Sequence, residues 1–150
     1  METTTETTRV EREVAIAAGP ETVWEFLVEP EKLVRWMGVD AMVEPEPGGL
    51  YRVEVHPGTF ARGEFVELDR PRRVVMTWGW EPGAQSNLPP GASTVAIDLV
   101  PDGDGTVLRL THELPSAHVG RHGEGWEHYL GRLRLAAAGE DPGRDSWLPK

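Results

Sequence analysis

The chain has 150 residues, a formal net charge of −10 and no cysteine. This length is typical of one domain with a sizeable core, the acidic balance argues against nucleic acid or an anionic membrane as a partner, and the lack of cysteine excludes disulfides and thiolate chemistry. The sequence contains neither a membrane-length apolar run nor a basic–apolar signal at its N-terminus, so we expect a soluble, cytoplasmic protein.

The first predicted elements are a strand and two short helices. Residues 1–8 are polar and have no period, which predicts a disordered N-terminal arm. Residues 9–17 alternate between apolar and charged side chains, a pattern typical of a strand. The next segment has Pro20 in its first turn, a helical stripe of apolar residues, and Pro30 at its end. A second short helix follows and is stopped by Gly38.

The middle of the chain predicts a mostly antiparallel meander of strands. Six short segments alternate, are rich in β-branched or aromatic residues, and are separated by turn residues. These segments are AMVEP, LYRVEVH, TFARGEFVELD, RRVVMTWGW, STVAIDLVP and TVLRLTHEL. The connection EPGAQSNLPPGA is longer than an ordinary hairpin loop, so it either gates a cavity or is a plain surface loop.

The last element is a long helix over about residues 119–138. A sheet with one apolar face needs a cover, and only this helix is long enough to supply it. A curved sheet around one helix leaves a space between the two. Residues 139–150 contain helix breakers and charges and predict a C-terminal tail. Trp147 and Leu148 in that tail either dock back onto the domain or contact a partner.

An ordered set of motifs carries a resemblance to a known superfamily. The stretches are GPETVWEFLVEPEKLVRWMG, PGGLYR, GEFVELDRPRRVVMTWGW, STVAIDLVPDGDGTVLRLTHELP and HGEGWEHYLGRL. Over residues 9–138 the chain resembles the START-like, or SRPBCC, superfamily, in particular the branch of the activator of heat-shock protein 90 ATPase homologues (AHSA-type domain). The resemblance implies an α+β helix-grip (START/Bet v-like) fold, in which a curved antiparallel sheet of about seven strands, with two short helices after the first strand, wraps around the C-terminal helix. It also implies a deep cavity for a small hydrophobic ligand, but no single activity.

Strand and helix phase select the residues that face such a cavity. The concave face takes every second residue of the strands, while Arg52 and Glu54 are expected to face solvent. Besides the candidate ligand-binding residues, the members of this face are Tyr51, Val53, Val55, Val74, Met76, Val95, Ile97, Leu99, Leu108 and Leu110. The candidate ligand-binding residues are Trp78, Trp80, His112, His122, Trp126, Tyr129 and Leu133. The alternative interpretation is that these residues fill an ordinary core, with the histidines at its rim.

The segment HGEGWEHYL is dense in groups that bind metals. A helix turns about 100° per residue, which separates His122 from Glu124 and His128. Glu124 and His128 are expected to face water, while His122 shares the apolar stripe of Trp126 and Tyr129. A tetrahedral metal needs its ligands gathered around one point. We therefore expect no metal site here, no catalytic residue is assigned, and no cofactor is expected.

Three functions remain open at this point. The first is a non-enzymatic binder of a small hydrophobic or aromatic molecule. The second is a cyclase, hydrolase or isomerase acting on a hydrophobic ligand, with His112 or His122 as acid–base. The third is a regulator of a chaperone ATPase, although we expect a single domain here, whereas the eukaryotic activator also uses a separate N-terminal domain. A protein partner or a homodimer also stays open.

Overall fold

A computed structural model describes residues 7–84 and 87–148. In chain order the elements are β1 (Thr7–Ile16), α1 (Pro20–Val28), α2 (Pro30–Leu33), β2 (Asp40–Val43), β3 (Leu50–His56), β4 (Thr59–Asp69), β5 (Arg73–Trp80), β6 (Ser93–Asp102), β7 (Gly105–Pro115) and α3 (Val119–Ala137), with a single 3₁₀ turn (Ser116–His118) before α3. Residues 1–6 of the predicted N-terminal arm lie outside the described residues. The predicted α+β class and the order of elements are confirmed.

The strands form one curved, seven-stranded antiparallel sheet in the order β1-β7-β6-β5-β4-β3-β2. Consecutive strands pair as hairpins from β2 to β7, and β1 adds to β7 along its full length. The register shifts between Glu54 and His56 and again between Phe65 and Glu67. Such bulges bend the strands that carry them. The helix-grip arrangement that the motifs implied is therefore the fold of the chain.

The two short helices pack against the sheet: α2 contacts β2, and α1 contacts β6, β7 and α3. Pro20 lies in the first turn of α1, where its missing N–H costs nothing. Regular helix α2 ends at Leu33, earlier than predicted, and the chain continues to Gly38 as hydrogen-bonded turns. Gly38 has a φ of 82°, and a Cβ there would lie 2.5 Å from the Glu54 carbonyl oxygen. Only glycine fits this stop without strain.

The concave face of the sheet is the core face, as the alternation predicted. Val53, Leu108 and Val95 are fully buried, whereas Arg52 points to the other side and binds Glu81 through Nε at 2.7 Å. The period of two in side-chain direction therefore separates core from surface along these strands.

Helix α3 lies along the concave face and buries one stripe. The stripe contains His122, Trp126 and Tyr129, which were predicted to share it, together with Leu130, Leu133 and Ala137. Its outer side binds the rest of the chain through Arg132, whose guanidinium donates to the carbonyl oxygens of Trp36 and Gly143. No helix among the described residues is both long and apolar enough to cross a membrane.

Candidate functional site

A cavity of about 610 Å³ lies between α3 and the sheet. Its walls come from α3, β5, the end of β3 with the turn into β4, the β5–β6 connection and the C-terminal segment. Trp78, Trp80, His122, Trp126 and Tyr129 line it, and all of them are among the seven residues predicted from strand and helix phase. The other two, His112 and Leu133, are fully buried behind the wall.

The inner wall is a cluster of aromatic rings centred on Trp78. The Trp78 ring lies 5.2 Å from that of Trp126 and 5.7 Å from that of Trp80, with interplanar angles of 53° and 87°. Tyr51 packs on it from β3 at 5.9 Å. Tilted and edge-to-face contacts of this kind hold rings in fixed positions. The cavity therefore has a rigid aromatic floor.

His112 holds this floor in place from behind. Trp126 Nε1 donates to His112 Nδ1 at 3.0 Å, and His112 Nε2 lies 2.7 Å from Ser93 Oγ. The Ser93 hydroxyl proton is already donated to the Trp78 carbonyl oxygen at 2.7 Å. Ser93 Oγ must therefore accept from His112 Nε2–H, which sets the neutral tautomer. Burial, with His122 close by, lowers the pKa of His112 to about 3.

His122 makes the same kind of contact at the cavity surface. Trp80 Nε1 donates to His122 Nε2 at 3.0 Å, and His122 Nδ1–H donates to the His118 carbonyl oxygen at 2.8 Å. Burial lowers the pKa of His122, which outweighs the opposing effect of the bond to His118. Both ring nitrogens of both histidines make hydrogen bonds. Either histidine can therefore take up a proton only if the indole N–H that donates to it moves away.

The mouth of the cavity is closed on one side by the C-terminal segment. The Trp147 ring stacks on the His128 ring at 3.8 Å with an interplanar angle of 3°. His128 Nε2 donates to Asp145 Oδ1 at 2.7 Å, and the same oxygen accepts the Trp147 backbone N–H at 2.9 Å. The expectation that His128 faces water was wrong, because the chain turns back after Gly139 and covers it. Of the two tail arrangements left open, the structure has Trp147 docked onto the domain.

Three buried polar atoms at the site have no hydrogen-bond partner among the described residues. They are Trp78 Nε1, Tyr129 Oη and Asp145 Oδ2. Burial raises the pKa of Tyr129, and the neighbouring Asp145 carboxylate raises it further. The phenol is therefore protonated at neutral pH. Leaving such groups unpaired costs free energy, so this part of the site is less well satisfied than the histidine side.

Several lining residues were missed by the reading of the sequence, and Gly125 is the most instructive. A Cβ built on Gly125 meets no atom within 4 Å, because the cavity lies in front of it. Gly125 is three residues after His122 and four before Tyr129, so helical phase alone places it on the lining face. A glycine adds no side chain to an apolar stripe, so the hydrophobic pattern does not mark it.

The β5–β6 connection contributes Ala84 to the cavity wall. Its far end is anchored, because Leu88 is buried and its carbonyl oxygen accepts the Trp80 N–H at 2.7 Å. A Cβ at Gly79 would lie 1.9 Å from the Pro89 carbonyl oxygen, so the loop packs directly on the β5 backbone. Gln85 and Ser86 lie outside the described residues. The loop thus belongs to the cavity wall, and a gating motion stays a prediction.

The described part of the chain holds no group of three metal-ligating side chains. Glu124 is exposed, and His128 is engaged by Asp145. The two members of the water-facing pair predicted on α3 therefore have different surroundings, and no common ligand position arises.

Comparisons with known proteins give a family and several solved relatives. Residues 17–138 match the family described as activator of Hsp90 ATPase homolog 1-like protein. An AHSA1-like protein from Rhizobium etli is 48% identical, with a TM-score of 0.77 over 100% of this chain and 94% of that one. No curated protein matches significantly.

More distant structures share the fold. An Hsp90 activator from Plasmodium falciparum is 24% identical, with a TM-score of 0.68 over 83% of this chain and 92% of that one. CalU16 from Micromonospora echinospora is 23% identical, with a TM-score of 0.68 over 91% and 87% of the two chains.

Proposed function

The chain belongs to the family of activator of Hsp90 ATPase homolog 1-like proteins, and within that family we propose that it binds a small apolar or aromatic molecule without transforming it. The ligand occupies the cavity between α3 and the sheet. Trp78, Trp80, His122, Trp126 and Tyr129 form the contact surface, while His112 and Leu133 support it from behind.

The observation that carries this proposal is the cavity itself. Its volume of about 610 Å³ falls within the range of roughly 300–1,000 Å³ that is usual for small-molecule sites. Aromatic rings make up its floor, and they are held by one another and by His112. A concave, mostly apolar site that is formed before the ligand arrives favours binding, because little ordering is left to be done.

The contacts of the two histidines argue against the acid–base alternative. A general base needs a free lone pair within reach of the substrate proton. The lone pairs of His112 and His122 accept indole N–H groups, at 3.0 Å in each pair. The low pKa of His112 also keeps the ring neutral at neutral pH, so it has no imidazolium proton to give as a general acid. These groups therefore support a binding surface better than a reaction.

Two glycines of α3 allow a matched test. Gly125→Leu places a side chain in the cavity, whereas Gly131→Leu makes the same change on a residue outside the lining. Neither added Cβ meets an atom within 4 Å, so both variants should fold. Each should gain helix stability, since glycine costs up to about 1 kcal/mol in a helix interior.

The experiment begins with a library of small apolar and aromatic molecules, screened by quenching of tryptophan fluorescence and by thermal shift. We expect saturable ligands for the unmodified protein and for Gly131→Leu, and loss of binding in Gly125→Leu at undiminished melting temperature. Absence of any saturable ligand, or equal binding by all three proteins, would contradict the proposal.

Chaperone regulation has weaker support as a function of this chain. The likeness to the activator from Plasmodium falciparum is at 24% identity and concerns the fold. An ATPase assay with the chaperone measures it directly, and stimulation at micromolar protein would replace ligand binding as the leading function. The expected cytoplasmic location accords with the absence of cysteine and belongs to the same proposal.

A further inference from the structure

The C-terminal segment of residues 139–148 adds a wall to the cavity from outside the family match. The match ends at residue 138, yet Trp147 is among the lining residues. The alignment with the relative from Rhizobium etli spans 100% of this chain and so includes the segment. The segment is therefore part of the cavity wall.

Hydrogen bonds of Asp145 and Arg132 hold the segment on α3. Asp145 is only 4% exposed, and its Oδ1 accepts both from His128 Nε2 and from the Trp147 backbone N–H. Arg132 adds a bond from its guanidinium to the Gly143 carbonyl oxygen at 3.1 Å. Because one oxygen of this buried carboxylate accepts two hydrogen bonds, Asp145 fixes the orientation of the chain at Trp147.

Trp147 combines a supported ring with a large accessible surface. Its ring lies parallel to that of His128 at 3.8 Å and meets the Tyr129 ring edge-on at 5.8 Å. Even so, Trp147 is 45% exposed while it lines the cavity. An indole fixed on one side and open elsewhere offers a surface on which a flat ring can stack.

We infer that Trp147 is a specificity-determining residue of the cavity, which selects ligands with a planar aromatic part by stacking on it at the mouth. This inference rests on the proposed binding function and assigns a role to the segment beyond the family match. His128 and Asp145 act as positioning residues, because they hold the indole and do not line the cavity themselves.

The test compares an aromatic, planar probe with its saturated, non-planar counterpart. We use 2-naphthol and its saturated analogue decahydro-2-naphthol, which share a carbon skeleton and a hydroxyl group, and measure both affinities by calorimetry. Trp147→Leu keeps an apolar side chain at the mouth but removes the ring. We expect its affinity for 2-naphthol to fall roughly three- to tenfold, the scale of one aromatic contact, and its affinity for the saturated probe to change less than twofold.

Two further variants serve as controls. Trp147→Phe should bind 2-naphthol within about twofold of the unmodified protein, because a ring is restored. Leu148→Ala changes a neighbour that does not line the cavity and should leave both affinities unchanged. An equal loss for both probes in Trp147→Leu would mean that the segment had merely undocked, and it would overturn the inference.

The outcomes separate this inference from the proposed function. If the unmodified protein binds the probes and Trp147→Leu binds them equally well, the selectivity role fails while ligand binding stands. If the unmodified protein binds neither probe, the selectivity role also fails, and the library screen with Gly125→Leu then decides on ligand binding by itself.

Discussion

Two tryptophan–histidine pairs stand at different depths of the same cavity wall. Trp126 donates to His112 in the interior, and Trp80 donates to His122 at the surface, each at 3.0 Å. The donor and the acceptor are the same chemical groups. His112 is 0% exposed and His122 is 7% exposed, while Trp80 is half-buried. Depth is therefore the main difference between the two pairs.

This difference indicates which pair mainly stabilises the fold and which pair mainly shapes the surface of the cavity. The second nitrogen of His112 bonds to Ser93, which is itself bonded to β5. Losing His112 leaves the Trp126 N–H in a dry interior. The second nitrogen of His122 bonds only to the preceding turn, and Trp80 can meet water if the bond opens. A buried donor without a partner costs far more than one that water can reach.

The largest expected effect is the replacement of the inner histidine. His112→Leu should lower the free energy of unfolding by about 2–4 kcal/mol, because Trp126 Nε1 is left buried and unpaired. Urea denaturation followed by circular dichroism measures the change. His112→Gln, which can accept from Trp126 and donate to Ser93, should recover part of the loss. A loss no greater than that of His122→Leu would refute the ranking of the two pairs.

The next effect is a dependence of stability on pH. The pKa of His112 is about 3 in the folded protein, against an ordinary value of 6.5. The unfolded chain therefore takes up a proton as the pH falls below 6.5, and the folded protein does not. Stability should be fully present above that pH and decline by about 1.4 kcal/mol per pH unit for this group as the pH falls toward 3. His122, whose pKa is also lowered, contributes with the same sign.

Denaturation between pH 7 and 5 checks this dependence, since most carboxylates stay ionised in that range. The slope should be shallower in His112→Gln, which has no proton to take up. A slope that is the same in both proteins would assign the dependence to other groups.

A smaller effect is expected at the outer pair. His122→Leu should lower the free energy of unfolding by about 1 kcal/mol, because the freed Trp80 N–H reaches water at the cavity surface. The same variant should change the affinity for a bound aromatic probe more than His112→Gln does. Calorimetry on both variants makes the comparison, and the reverse order of affinities would contradict the division of roles.

The smallest effect is expected at the mouth of the cavity, where the Tyr129 hydroxyl is a third donor to compare with the two indole N–H groups. Tyr129→Phe should change the free energy of unfolding by no more than about 1 kcal/mol, because Tyr129 Oη makes no hydrogen bond of ordinary geometry and interacts only with the neighbouring Asp145 carboxylate. Trp126→Phe is the matched change at a satisfied donor, and it should be clearly destabilising. Thermal or urea denaturation of the two variants decides, and a substantial loss in Tyr129→Phe would reveal a bond that this hydroxyl makes.

Prediction from the sequence was most accurate where one periodic pattern was enough. The alternation along LYRVEVH separates Val53 from Arg52, and the helical count places Trp126 and Tyr129 on one stripe, as the structure has them. Helical phase also places Gly125 on this face. Because a glycine has no side chain to mark as apolar or polar, its position at the cavity was not predicted.

Periodic patterns within one segment did not predict contacts between segments that are distant in the sequence. His128 was expected in water because its own helix offered it no partner, and the partners came from Asp145 and Trp147 on the returning chain. His112 and Leu133 were expected at the cavity because phase gives the side of the sheet or helix. Phase does not predict how far a side chain lies from the cavity surface, and both residues are buried behind the cavity wall.

The order of the elements, the antiparallel meander and the faces that enter the core follow from the amino-acid sequence, because these depend on periods of two and 3.6 residues within single segments. Which tryptophan bonds to which histidine follows from the fold as a whole. Trp80 and His122 are 42 residues apart and Trp126 and His112 are 14 apart, so their bonds depend on strand register and helix placement together. A shift of one residue would turn the strand's side chains to the other face, or the helix by about 100°, and would remove these bonds.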